Sequence, residues 1–177
     1  MSDLRIGIIL GSTRPERIGD QVAHWVLNNA SVPNTTFELV DVADYNLPNL
    51  GQPTEDVEKW ADKISSFDGF IFVTAEYNHS IPGALKNAID HLRDPWANKA
   101  AALVSYGSMG GVRAAEHLRQ VLGELQMADV RMHLMFSLFT DWTDGSFTPN
   151  PALKLPELNE QLAQLTSWAG ALKTVRA

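Results

Sequence analysis

The chain has 177 residues, a formal net charge of −7 and no cysteine. Its length predicts a single domain over residues 1–177, and its 45% hydrophobic and 20% charged residues exclude wholesale disorder. The missing thiols exclude a disulfide framework, an iron–sulfur centre, a thiolate zinc site and a cysteine nucleophile. The acidic balance argues against nucleic acid as a partner, and no apolar run approaches the roughly 18 residues of a membrane span. We therefore expect a soluble, cytoplasmic protein without membrane insertion.

Five apolar runs alternate with stretches of helical periodicity along the chain. The runs are mostly continuous, which is typical of parallel strands buried on both faces. They predict strands over Leu4–Leu10, Thr36–Val42, Gly69–Ala75, Ala100–Tyr106 and Val130–Phe136. The apolar stripes of five predicted helices begin at Ile18, Val57, Ile81, Val112 and Leu155. This strict alternation predicts a doubly wound α/β fold with helices on both faces of the sheet.

Two stretches depart from the alternation. Asp44–Pro53 contains two prolines and a glycine and is predicted to be a loop. Thr140–Pro151 is rich in turn residues yet contains Trp142 and Phe147. Large aromatic side chains in such a segment predict either a cover for the chain's own core or a contact with a second subunit.

The connection after the first strand, Gly11–Gly19, has the composition of a phosphate cradle. It offers small residues for close backbone approach and the hydroxyls of Ser12 and Thr13. Arg14 and Arg17 add guanidinium groups at a helix N-terminus. The spacing matches neither a Walker loop nor the Gly-x-Gly-x-x-Gly dinucleotide turn. A polar turn with two solvated arginines is the alternative; we favour the phosphate site because strand, loop and helix occur in the required order.

The connections after the third and fourth strands are also unusual. Glu76–Ser80 contains Asn78, which tolerates left-handed backbone, and its peptide groups suit the edge of a planar heterocycle. Glu76 is a candidate general acid or base, although a surface glutamate is the commoner state. Tyr106–Gly111 contains three glycines, which expose backbone to a flat ligand, and an ordinary tight turn is the alternative.

In a sheet of order 2-1-3-4-5, strands 1, 3 and 4 are neighbours, so these three connections are expected to converge on one ligand site. The chain offers few other candidate catalytic residues. The five histidines show no metal-ligand spacing, and neither Ser12 nor Ser108 lies in a Gly-x-Ser-x-Gly elbow. We therefore predict no metal and no catalytic side chain, and we expect a cofactor to carry the chemistry.

Three segments resemble the NADPH-dependent FMN reductase family: Gly11–Arg14, Glu76–Asp90 and Ser105–Gly111. The resemblance extends over residues 4–136. It implies a flavodoxin-like, doubly wound, five-stranded parallel sheet of order 2-1-3-4-5, with FMN as cofactor and NADPH or NADH as electron donor. Two features depart from the family pattern. Ala75 stands where the family usually has proline, and Arg17–Gly19 replace a Ser/Asn-rich ending of the first loop.

The resemblance also implies the residues of the site. The FMN phosphate is expected on the first loop, at Ser12, Thr13, Arg14, Arg17, Ile18 and Gly19. The isoalloxazine ring is expected beside Glu76, Tyr77 and Asn78, with Ser105, Tyr106, Gly107, Ser108, Gly110 and Gly111 completing the pocket. Members of the family are commonly dimers or tetramers with active sites near subunit boundaries, so a homodimer or homotetramer is expected.

The predicted function is that of an FMN-dependent oxidoreductase that passes hydride from NAD(P)H through bound FMN to a quinone or similar small acceptor. Three alternatives stay open. They are a flavin reductase that releases reduced FMN, a non-enzymatic flavodoxin-type electron carrier, and a flavin-free α/β domain that binds another phosphate ligand. The affinity for flavin, steady-state NAD(P)H oxidation and the colour of the purified protein distinguish these functions.

Overall fold

The computed structural model describes residues 3–176, which form a parallel sheet between two layers of helices. The five strands of the sheet are β1 (Leu4–Leu10), β2 (Thr35–Asp41), β3 (Gly69–Ala75), β4 (Ala100–Gly107) and β5 (Ala128–Ser137). The helices are α1 (Gly19–Asn29), α2 (Glu55–Ser65), α3 (Gly83–Asp90), α4 (Val112–Glu124) and α5 (Pro151–Arg176). A small hairpin of β6 (Trp142–Thr143) and β7 (Ser146–Phe147) precedes α5. The prediction of one domain over residues 1–177 stays a prediction, and positions 1, 2 and 177 lie outside the described residues.

The predicted strands agree closely with the observed ones. β1 and β3 have the predicted bounds, while β4 and β5 extend slightly further. Val42, predicted to end the second strand, instead begins a short 3-10 helix, Val42–Asp44. The cause is the Asp41 carboxylate, which accepts a hydrogen bond from the Ala43 N–H at 2.9 Å and turns the chain. The loop predicted from Asp44 to Pro53 is confirmed beyond this turn.

The strand order is β2-β1-β3-β4-β5, with every neighbouring pair parallel, as predicted. Each face of the sheet carries its own core. Helices α1 and α5 cover the face that contains Ile6 and Ile8, and α2, α3 and α4 cover the face that contains Ile9. β3 and β4 are buried along their whole length, which explains their continuous apolar sequences. The loops that follow β1, β3 and β4 therefore lie together at one edge.

The segment predicted to be turn-rich contains the β6–β7 hairpin, which closes the core of its own chain. Trp142 and Phe147 are half-buried, and their rings lie 4.6 Å apart. The Phe147 ring also packs edge-on against Phe136, at 4.9 Å, and against Trp25, at 6.2 Å. Of the two predicted roles for these aromatics, covering the core is the one observed, so neither ring needs a partner subunit to bury it.

Candidate active site

A cleft opens at the carboxyl ends of β1, β3 and β4, where the sequence predicts a ligand site. It is lined by Arg14, Arg17, Ile18, Ala75, Glu76, Tyr77, Tyr106, Gly107 and Leu138. Eight of these residues come from the strand ends and loops of β1, β3 and β4, and Leu138 comes from the turn after β5. The predicted convergence of three connections on one site is therefore observed.

The first loop presents one arginine to solvent. Ser12 is fully buried, and its hydroxyl shares a 2.7 Å hydrogen bond with the Tyr77 hydroxyl, which ties the loop to the end of β3. Thr13 and Arg14 are exposed, and the Arg14 guanidinium lies 6.0 Å from the centre of the Tyr77 ring. Within residues 3–176, the Arg14 side chain makes no hydrogen bond or ion pair. An uncommitted guanidinium above a helix N-terminus suits a phosphate ligand.

The second arginine of the loop is already engaged. Arg17 forms a bidentate ion pair with Asp41 at the end of β2, and it donates a 2.6 Å hydrogen bond to the Ser12 carbonyl. It therefore folds the loop back onto β2, and a phosphate would have to share it with Asp41. Gly19 begins α1 below this turn, and a Cβ there would collide with the Tyr106 hydroxyl. Glycine is thus required for Tyr106 to reach the cleft floor.

The loop after β3 is a tight reversal in left-handed backbone. Tyr77 and Ser80 exchange two backbone hydrogen bonds, of 2.9 and 3.0 Å. Asn78 and His79, the central residues, have φ values of 49° and 68° and are exposed. Positive φ at both central positions is the geometry of a type I′ turn, for which asparagine is well suited. Asn78 thus adopts the left-handed backbone that asparagine tolerates.

The structure does not support either predicted state of Glu76, a general acid or base or a surface glutamate. Its side chain is only 6% exposed, and it accepts hydrogen bonds from the Arg113 backbone N–H at 3.1 Å and from Arg113 Nε at 2.6 Å. Burial alone raises the pKa of the Glu76 carboxyl, but the hydrogen bonds and charge of Arg113 outweigh it and hold that pKa below its usual value. A carboxylate kept ionised in this way is poorly suited to carry a proton.

The loop after β4 depends on two glycines in left-handed backbone. Gly110 and Gly111 have φ values of +72° and +74°, and a Cβ on Gly111 would lie 2.8 Å from the Ser105 Cβ. The buried Ser105 hydroxyl donates a hydrogen bond to the Gly110 carbonyl. Ser105 therefore supports the loop from beneath and does not line the cleft. Gly107 lines the cleft, whereas Ser108 is exposed beyond it.

His133 on β5 supports the same loop. Its Nε2 lies 2.7 Å from the Ser105 hydroxyl. Because that hydroxyl donates its one hydrogen to Gly110, Nε2 must carry the hydrogen that joins the pair. Burial, together with the charge of Arg119, lowers the pKa of His133 to about 4, so the ring is neutral at pH 7.

Comparison with known proteins shows which family the chain belongs to. A sequence profile described as NADPH-dependent FMN reductase matches residues 4–141. The chain belongs to this family. It is accordingly an oxidoreductase, with FMN and NAD(P)H as its cofactors. The predictions of family, enzyme class and cofactors are confirmed.

Relatives and solved structures agree with this assignment. The chain is 35% identical to the NAD(P)H-dependent FMN reductase of Nectria sp., over 77% of this chain and 78% of that protein. It is 32% identical to the NAD(P)H-dependent FMN reductase of Saccharomyces cerevisiae, over 98% and 99% of the two chains. The flavoenzyme NAD(P)H:(acceptor) oxidoreductase of Paracoccus denitrificans shares the fold, with a TM-score of 0.74 at 22% identity over 93% of this chain and 98% of that one.

The residues of this FMN reductase-family chain fit an FMN molecule. Arg14 supplies a free cation for a phosphate, and the adjoining floor is made of Ala75, Tyr106 and Gly107, which present small or flat surfaces. Burial raises the pKa of the Tyr106 hydroxyl, so it stays protonated at neutral pH. The cleft has a volume of about 90 Å³, so a ligand as large as a flavin would stay partly open to solvent.

Three residues of the site have no signal in the sequence. Arg113 lies on a helix that reads as ordinary packing, His133 lies within a strand, and Leu138 follows β5 outside the recognisable segments. Leu138 reaches the cleft because its N–H bonds to the Gly107 carbonyl at 3.0 Å. No group of three metal-ligating side chains occurs within residues 3–176, and no helix there is long and apolar enough to cross a membrane.

Proposed function

We propose that this oxidoreductase binds FMN in the cleft and uses NAD(P)H to reduce a quinone or a similar small acceptor. The observation that carries the proposal is the uncommitted Arg14 guanidinium beside a floor of backbone and flat side chains, at the edge where three loops meet. Quinone reductases of Pseudomonas putida and Escherichia coli K12 are 33% and 36% identical to the chain. These relatives support a quinone as the acceptor.

The residues of the chain have distinct tasks in this proposal. Arg14 and Thr13 hold the FMN phosphate, while Arg17 shapes their loop through Asp41. Ala75, Tyr77 and the glycine loop after β4 border the ring. Bound FMN supplies a carrier that accepts two electrons from NAD(P)H and delivers them to the acceptor. The open side of the cleft admits donor and acceptor in turn, and backbone N–H groups around the ring favour the extra negative charge of the reduced state.

Reconstitution tests the proposal directly. Apoprotein titrated with FMN is expected to quench flavin fluorescence and to retain a flavin absorption spectrum after gel filtration. The holoprotein is then expected to oxidise NADPH or NADH in the steady state with benzoquinone as acceptor. Absence of bound flavin would refute the site. Turnover that requires a continuous supply of free FMN would instead favour a flavin reductase that releases its product.

We also propose that the protein forms a homodimer or homotetramer through the rim of the cleft. Met109 and Phe139, on loops around the cleft, are 66% and 78% exposed, and Leu138 and the first residue of α4, Val112, are also exposed. Large exposed apolar side chains in one region typically mark an interaction surface. Light scattering over a dilution series of wild type and Phe139→Ser measures the assembly, and a stable wild-type monomer with full turnover would refute it. The cytoplasmic location stays a prediction.

A further inference from the structure

Helix α4 begins without a capping side chain of its own. Its N-cap is Gly111, in left-handed backbone with a φ of 74°. A side chain at this position would collide with Ser105, since even a Cβ would lie 2.8 Å from the Ser105 Cβ. The geometry that brings the glycine loop to the cleft therefore forbids the serine, threonine or aspartate that usually caps a helix. The first N–H groups of α4 need an acceptor from elsewhere.

That acceptor is the Glu76 carboxylate, which comes from the opposite wall of the cleft. One of its oxygens accepts the Arg113 backbone N–H at 3.1 Å. The two walls touch at the same place, because a Cβ on Gly107 would lie 3.2 Å from the Glu76 Cβ. Glu76 thus joins the loop after β3 to the loop after β4.

Arg113 makes this arrangement electrically neutral. A cation in the first turn of a helix is unfavourable, because the N-terminal end of the helix dipole is itself positive. Arg113 nevertheless lies there, with Nε 2.6 Å from Glu76 and a second guanidinium nitrogen on the same oxygen. The arginine therefore cancels a carboxylate charge that would otherwise lie in the wall of the cleft.

We propose that Glu76 is a positioning residue. Its carboxylate holds the Gly107–Gly111 loop against the β3 loop, so that both walls of the cleft are formed before flavin binds. Arg113 neutralises that carboxylate, which would otherwise repel the negative charge of reduced FMN. The inference rests on the proposed binding of FMN in this cleft. It assigns Glu76 no proton transfer.

Flavin affinity is the first test, with the other end of β3 as a matched control. Glu76→Ala removes the cap and is expected to weaken FMN binding about tenfold. Glu76→Gln keeps a neutral acceptor for the α4 N–H groups and is expected to restore most of that loss. The control is Asp68→Asn, which changes a similarly buried, arginine-paired carboxylate immediately before β3. It is expected to lower the melting temperature while leaving FMN affinity unchanged.

The midpoint potential of bound FMN is the second test. Glu76→Gln leaves the Arg113 cation unneutralised, so the potential is expected to rise. Arg113→Gln leaves the carboxylate unneutralised, so the potential is expected to fall. Damage to the fold alone would shift the midpoint potential in the same direction in both variants. Opposite shifts support the pair as a neutralising device, and shifts of one sign overturn it.

The remaining outcomes are equally decisive. Wild-type apoprotein that binds no FMN would overturn both the proposed function and this inference. If wild type binds FMN and the Glu76→Ala variant binds it equally well, the inference alone is overturned. A Glu76→Gln variant with wild-type affinity but no turnover, and with an altered pH profile, would identify Glu76 as a proton carrier and overturn the positioning role.

Discussion

Strand β3 carries a buried carboxylate at each end, and the two ends have different purposes. Asp68, before the strand, accepts the Arg5 N–H at 3.0 Å, Lys173 at 3.0 Å and Arg176 at 2.8 Å. These partners join the beginning of β1 to the end of α5. The side chain of Glu76, after the strand, instead accepts hydrogen bonds from Arg113 at the start of α4. The amino end connects distant parts of the chain, whereas the carboxyl end shapes the cleft in which we propose that FMN binds.

The charged side chains at the two edges of the sheet differ in the same sense. At the cleft, the Arg14 side chain makes no hydrogen bond or ion pair with any residue from 3 to 176. At the amino end the charges are paired, and the buried Lys99 ammonium donates to the last carbonyls of α2, at 2.9 and 3.2 Å. A guanidinium left without an anion at the carboxyl edge is available to a ligand, which supports the cleft as the proposed site.

The largest effect on stability is expected at the amino end. Asp68→Ala leaves Lys173 and Arg176 without their shared carboxylate and the Arg5 N–H without an acceptor, so the free energy of unfolding should fall by about 3 kcal/mol. Urea denaturation measures this loss. FMN affinity under folding conditions should stay at the wild-type value. A tenfold loss of affinity would show that the two ends of β3 are not independent.

His133 makes the carboxyl edge sensitive to acid. Its pKa is depressed to about 4 in the folded state, so the unfolded chain takes up the proton first as the pH falls from 6.5. Stability should therefore decrease between pH 6.5 and pH 4, by roughly 2–3 kcal/mol from this group. The measurement is the difference in unfolding free energy between wild type and His133→Gln across that range. The difference between wild type and His24→Gln, a change at an exposed position, should show no such trend.

Arg14 tests the unpaired charge of the cleft. Arg14→Ala should weaken FMN binding by about 2 kcal/mol, because one charge-assisted contact to the phosphate is lost. Binding of riboflavin, which has no phosphate, should hardly change. Isothermal titration with both flavins measures the difference, and Arg93→Ala, at an exposed arginine, is the control. Equal losses for the two flavins would show that Arg14 acts through the fold.

Gly111 is a crowded glycine of the cleft loop, and Gly145 is an uncrowded glycine of similar φ with which to compare it. Gly111→Ala forces a Cβ to within 2.8 Å of Ser105 and puts alanine at a φ of +74°, so stability should fall by about 2 kcal/mol and FMN affinity should fall with it. Gly145→Ala has a similar φ, of +79°, but open space around the Cβ. It should cost about 1 kcal/mol and leave FMN affinity unchanged. Thermal unfolding with and without FMN separates the two.

The smallest effect is an alkaline one at the amino edge. Burial, assisted by the charge of Arg176, lowers the pKa of Lys99 to about 8. Above that pH the folded protein releases a proton that the unfolded chain still holds, so this group makes stability rise by about 1 kcal/mol between pH 8 and pH 9. Lys99→Met should lack that rise. Parallel pH profiles for the two proteins would contradict the assignment.

The fold was largely accessible from sequence, because strands buried on both faces read as continuous apolar runs. β1 and β3 were predicted to the residue, and the position of the cleft followed from the strand order. Backbone conformation was also partly local, since asparagine and glycine tolerate left-handed backbone, which Asn78 and Gly111 adopt. Trp142 and Phe147 were ambiguous, because composition does not say which surface an aromatic ring covers.

The sequence by itself determined the family, the topology and the edge of the sheet where the cleft opens, since each depends on short segments of the chain. Only the tertiary structure decided what the charged side chains do. Glu76 finds Arg113 37 residues away, Ser105 finds His133 28 residues away and Arg17 finds Asp41 24 residues away. Which charge neutralises which depends on how separate loops pack. The same packing leaves Arg14 unpaired, exposed at the cleft where a phosphate can reach it.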